Sequence, residues 1–102
     1  MLKQFRTYQL ARLFYKECQK FEVRGAMRNQ LDRAALSVPL NLAEGRGGGR
    51  TLTEQKRFFQ IAYGSSRECK AILDLVMPCP KELIEMADVL CAHIYRLIQN
   101  AK

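Results

Sequence analysis

Apolar side chains recur along this chain at intervals of three and four, the period at which one face of an α-helix returns to the same side. Between Phe5 and Phe21 the apolar set is Tyr8, Ala11, Phe14, Tyr15, Cys18 and Phe21, while Gln9, Arg12, Lys16, Gln19 and Lys20 take the opposite face. The pattern resumes with Met27, Leu31, Ala34, Ala35, Val38 and Leu42, predicting a second helix over residues 25–44 with Gly45 as its C-terminal cap. Pro39 falls inside it, without an N–H for the carbonyl of Ala35. Because the period continues to Leu42, a kink is expected there rather than a stop.

Residues 45–50, Gly-Arg-Gly-Gly-Gly-Arg, are the one low-complexity stretch and predict a mobile loop. Thr51 and Glu54 then have the spacing of a capping box. The third helix carries Phe58, Ala62, Ser65, Cys69, Ile72 and Val76 at four-three spacing, widened by Ile61 and Leu73. Phe59 and Tyr63 lie off this stripe and are expected to be exposed, awaiting a neighbouring subunit. Gly64, Ser65 and Ser66 lower helix propensity, and the compensation expected is close approach of a neighbouring helix. Pro78-Cys79-Pro80 ends the helix, and a fourth, near 81–99, is expected to bury Leu83, Ile84, Ala87, Leu90, Cys91, Ile94, Leu97 and Ile98. No strand pattern occurs. Four amphipathic helices joined by short turns predict an all-α, antiparallel up-down-up-down four-helix bundle, one domain over residues 1–102.

Charge adds a partner class to this picture. Seventeen Lys and Arg against ten Asp and Glu give a formal +7, a field that attracts polyanions. Up to Arg50 there are ten basic and four acidic residues, and after it seven and six, so the first half carries +6 and the second +1. Arg12, Lys16 and Lys20 at successive four-residue steps form a ridge that Arg24 and Arg28 extend onto the second helix. The plain reading of such a ridge is a solvated helix face; the +6 bias weakens that reading and leaves phosphate contact open beside it. Cys18, Cys69, Cys79 and Cys91 lie far apart with no C-x-x-C pair and no leader ahead of them, which predicts reduced thiols and a cytoplasmic location. No apolar run reaches the length of a membrane span; Ala34 to Ala43 is interrupted by Ser37, Pro39 and Asn41.

One set of residues carries a family resemblance: Gln30-Leu31, Ala34, Ser37-Val38-Pro39, Asn41, Ala43-Glu44-Gly45, then Phe58, Ile61-Ala62, Gly64-Ser65 and Glu68. Over residues 8–98 the chain resembles the four-helix-bundle proteins first noted in intervening sequences of 23S rRNA genes, whose relatives include the accessory variability protein of diversity-generating retroelements. The resemblance implies a homopentamer with a positively charged surface suited to nucleic acid, RNA or DNA, and no catalytic activity. In the retroelement branch it implies a reverse transcriptase partner. The chain departs from the pattern at Tyr8, where a Trp is usual, in the glycine-rich loop at 46–50, and in the short turn into the fourth helix.

The loop from Gly45 to Thr51, with Arg46 and Arg50, invites comparison with a phosphate cradle. Its glycine spacing is one short of a Walker A motif, Arg50 stands in place of the lysine, and a helix precedes it, so a flexible linker with solvated arginines competes with that reading. Catalysis has little support: His93 is the sole histidine, and Cys91 two residues away points to another face of the helix. The Arg-x4-6-His element of helical RNases is absent, since positions 86–88 are Met86, Ala87 and Asp88. Pro39, Asn41, Glu44, Gly45, Gly64, Ser65 and Glu68 are read as architectural or interface residues, with Arg33, Arg57 or a neighbouring protomer as donor for Glu44. The expectation is a non-enzymatic, oligomeric nucleic-acid-binding accessory protein that needs no cofactor, metal, membrane or small-molecule substrate. Its rival is a scaffold that docks on an acidic protein partner.

Overall fold

A computed structural model describes residues 2–76 and 78–101. Four α-helices make up the fold, α1 (Arg6–Lys20), α2 (Gly25–Arg46), α3 (Leu52–Leu75) and α4 (Lys81–Asn100), preceded by a short 3-10 turn at Leu2–Gln4. No strand occurs among the described residues. Each helix packs on the next in sequence, and α1 also packs on α4. At 1.5 Å per residue the 24 residues of α3 span about 36 Å, which matches the 41 Å long axis of the molecule.

One core cluster joins all four helices. Its fully buried members include Phe14, Leu31, Leu42, Leu73, Leu90 and Ile94, and burial of each is worth roughly 1.5–3 kcal/mol. Cys18, Cys69 and Cys91 are buried free thiols within the bundle, as the apolar stripes predict. Burial first of all pushes Cys18 up to about 12 and raises Cys69 further still, so both stay protonated.

Local chemistry explains where the helices begin and end. Thr51 accepts from the amide of Glu54 at 3.1 Å while Glu54 accepts from the amide of Thr51 at 2.9 Å, closing the anticipated capping box. α2 runs through Pro39 and continues to Arg46, past the position expected to cap it. Gly45 is therefore helical and buried rather than terminal, and Gly47 takes the C-cap, its N–H reaching the carbonyl of Glu44 at 3.2 Å. What fills the space beside Gly45 is Phe59: an added Cβ would stand 2.6 Å from its Cε1 and 2.8 Å from its Cδ1. Phe59 is 2% exposed, so it belongs to the core, and Tyr63 is half-buried, against the expectation that both lie open. The buried face of α3 is Phe59, Ala62, Ser66, Cys69, Ile72 and Leu73. It is turned from the expected stripe toward α4, leaving Ile61 exposed and Phe58 and Ser65 at its margin. Ile84 on α4 is likewise more exposed than expected.

The small-residue patch of α3 divides between two neighbours. Ser65 Oγ lies 2.7 Å from Ser37 Oγ on α2, and Asn41 Nδ2 donates to Ser37 Oγ at 3.1 Å and to the Ser37 carbonyl at 2.9 Å. On the other side Ser66 Oγ donates to the carbonyl of Tyr63 at 2.7 Å and accepts from Cys91 Sγ on α4 at 3.1 Å. Gly64 is no contact point: a Cβ there would meet nothing within 4 Å.

Candidate nucleic-acid interface

The seven cations picked out in the sequence divide into two kinds. Arg12 and Lys16 on α1, and Arg24 at the start of α2, are exposed and make no ion pair among the described residues. Lys20 completes their ridge with a surface pair to Glu17 at 2.9 Å, both side chains well solvated, a contact worth little and readily exchanged for another anion.

Arg28 is engaged within the fold. Its guanidinium grips Asp32 Oδ1 through Nε at 3.0 Å and Nη2 at 2.6 Å. It also donates to the carbonyls of Phe21 at 2.7 Å and Cys18 at 2.9 Å. Those carbonyls belong to the end of α1, where helical partners run out. Arg28 thus clasps α1 to α2, and Asp32 is braced by Gln19 Nε2 of α1 at 2.9 Å. A planar fork with several donors is the side chain that can satisfy this set at once. Arg28 is therefore not available as a free phosphate contact.

Arg46 and Arg50 bracket the glycine loop and are both parked on aromatic rings. The Arg46 guanidinium lies 4.4 Å from the centroid of Phe5, and that of Arg50 lies 4.8 Å from Phe58. Arg50 also pairs with Glu44 Oε1 at 2.5 Å and donates to the Glu44 carbonyl at 3.2 Å. Glu44 thus finds its donor in Arg50, not in Arg33 or Arg57, and its carboxylate is largely solvated. Gly49 adopts φ +80°, a conformation that favours glycine, and an added Cβ at Gly48 or Gly49 would meet nothing within 4 Å. Glu68 is exposed on α3.

A second set of groups, of which the one-dimensional pattern had singled out Tyr63 alone, lines the groove between α3 and α4. Tyr63 and Tyr95 pack with centroids 6.0 Å apart and planes tilted by 49°. Arg67 lies 6.0 Å from the centroid of Tyr63, and Lys70 pairs with Asp88 across the groove at 2.9 Å. Tyr95 remains 50% exposed. The i, i+4 step from Tyr63 to Arg67 was the available sequence signal; its pairing with Tyr95 depends on how the helices meet.

His93 is half-buried on α4. Desolvation first, and then the positive charges of Arg96 and Arg6, hold its basicity below the usual histidine value. No group of three or more His, Cys, Asp or Glu residues suited to a metal ion occurs among the described residues, nor does any described helix have the length and apolarity to cross a membrane.

Comparison with known families gives one match: the family described as 23S rRNA-intervening sequence protein covers residues 3–100. No curated protein matches the chain.

Proposed function

The chain belongs to the 23S rRNA-intervening sequence protein family, and we propose that it is a basic, oligomeric, non-enzymatic accessory protein that binds nucleic acid through backbone phosphates. The observation that carries this reading is the placement of Arg12, Lys16 and Arg24 in solvent, unpaired among the described residues, on the half of the chain that holds +6 of the +7. Lys20 joins them at the cost of one weak surface pair. Contacts of this type supply affinity without sequence readout.

The protomer in this proposal is an antiparallel up-down-up-down bundle. Contacts between α2 and α3 favour it: Gln55 at the start of α3 donates to the Gly45 carbonyl near the end of α2 at 3.1 Å, while Ser65 farther along α3 meets Ser37 earlier on α2. The assembly is a homopentamer. Five copies at +7 each give +35, a charge that calls for a polyanion nearby. A reverse transcriptase or the RNA of an intervening sequence is the partner proposed, in the cytoplasm.

A second reading, docking on an acidic protein partner without nucleic acid, is favoured by a separate observation: Leu36 and Leu40, one turn apart on α2, are 42% and 56% exposed. One titration distinguishes the two. Binding of fluorescent RNA and duplex DNA is followed by anisotropy from low to high salt, with steep weakening expected as salt rises. Replacing both Arg12 and Lys16 by Ala should reduce the log–log salt slope by about 2, since each phosphate left without its cation on duplex DNA lowers it by about 0.9. Absence of affinity at low salt sinks the phosphate reading, and multi-angle light scattering that finds a monomer sinks the pentamer.

A further inference from the structure

The groove between α3 and α4 combines features that phosphate binding alone does not need. Tyr63 and Tyr95 form an aromatic pair at its rim, with centroids 6.0 Å apart and planes tilted by 49°, and Tyr95 is 50% exposed. The shallow depression beside them, of about 470 Å³ and mostly open to solvent, is lined also by Lys70, Asp88, Cys91 and Arg96. Through Lys70 it continues into a depression of about 350 Å³ lined by Arg67, Asp74 and Ile84. Both recesses are open troughs along the helices rather than closed cavities, so their shape suits an extended strand.

We propose that this groove binds single-stranded nucleic acid by stacking a base on Tyr95, with Arg67 and Arg96 holding the phosphates on either side. An aromatic platform beside a cationic groove is the arrangement that captures unpaired bases without reading their identity, since every base has a π-face. A duplex keeps its base faces stacked on one another and cannot use such a platform. Charge within the groove is modest. Asp88 neutralises Lys70 through their 2.9 Å pair, which leaves Asp74 against Arg67 and Arg96. Stacking must therefore supply much of the affinity, and binding here falls less steeply with salt than binding on the α1 ridge. The site rests on the nucleic-acid reading above and refines it, because it adds a preference for unpaired strands and a surface remote in sequence from Arg12 and Lys16.

The test uses the full-length chain with three fluorescent probes of equal length: oligothymidylate, its abasic phosphodiester counterpart, and a duplex. Oligothymidylate should bind more tightly than the abasic strand and quench tyrosine fluorescence. Tyr95→Ala should weaken oligothymidylate binding about 10- to 100-fold, leave abasic and duplex binding unchanged, and be rescued by Tyr95→Phe. Because Tyr95 is half exposed, the variant should keep the wild-type circular dichroism spectrum. Competition by free thymidine nucleotide at concentrations matching the oligonucleotide would show a mononucleotide pocket instead and overturn the strand. Equal affinity for abasic and base-bearing strands, or an unaffected Tyr95→Ala, overturns the stack while leaving phosphate binding in place. Loss of all three probes at low salt removes both readings.

Discussion

The tight approach of α2 and α3 at Gly45 makes the effect of one methyl group calculable in sign. In Gly45→Ala the new Cβ would stand 2.6 and 2.8 Å from two carbons of the Phe59 ring and 3.2 Å from the Gln55 carbonyl oxygen. The ring has little room to withdraw. It is 2% exposed and packs on Phe5 at 6.4 Å between centroids, and Phe5 is itself covered by Arg46 at 4.4 Å. Either Phe59 leaves its rotamer or the helices part, and overpacking of this kind costs about 1–3 kcal/mol. Against that, Ala in a helix gains about 1 kcal/mol over Gly, less at Gly45, which is one residue from the end of α2. The net expectation is a loss of about 1–2 kcal/mol, a fall in Tm of about 5–10 °C for a domain of this size. The same substitution at Gly64 meets open space on an exposed helix surface, so it should raise stability by about 0.5–1 kcal/mol. Thermal unfolding by circular dichroism, at one protein concentration for all variants, reads both shifts. A Gly45→Ala chain that melts at or above wild type refutes the packing argument, and a Phe59→Leu change in that background should recover part of the loss by making room.

Arg28→Ala should destabilise by about 2 kcal/mol, and Arg28→Lys should not restore it, because an ammonium cannot reach Asp32 and two carbonyls together; urea denaturation checks both. Thr51→Ala should cost about 1 kcal/mol through loss of the cap of α3, by the same measurement. Glu54, lowered below the usual carboxylate value by its bonds to Thr51, should contribute stability that is present above the ordinary Glu pKa and lost as pH falls through the depressed one. A pH series in which Glu54→Gln leaves that acid limb unchanged would contradict it. Among the thiols, a disulfide reagent should label Cys79 first in the native state, because Cys18 and Cys69 are buried and held protonated; their labelling should track unfolding.

Much of the fold could be read directly from the chain because local signals agreed: the three-and-four periodicity gave four helices, and Thr51 with Glu54 marked the start of α3 in advance. The errors arose where a neighbouring helix decides. Gly45 carries the signature of a cap, yet it is a seat for Phe59, and only the α2–α3 approach reveals that. Spacing along α3 points to a stripe through Phe58 and Ser65, one step around the helix from the face through Phe59 and Ser66 that is buried; contact with α4 selects the latter. For the cations, position along the chain says which are basic but not which are occupied: Arg12 and Arg28 look alike until the carbonyls at the end of α1 come within reach of the latter. The tyrosines of the α3/α4 groove are too far apart in sequence for any periodicity to join them.

Arg46 and Arg50 give the turn between α2 and α3 the character of an expansion joint. Each arginine is moored on its own aromatic ring, Phe5 and Phe58 respectively, so the helix ends on both sides are held independently of the glycines between them. Lengthening the segment at Gly48, where nothing lies within 4 Å, would then add only a closure entropy that grows by about 0.6 kcal/mol per doubling of loop length. That makes Gly48 the natural place to graft an epitope or a fluorescent reporter without loosening the bundle.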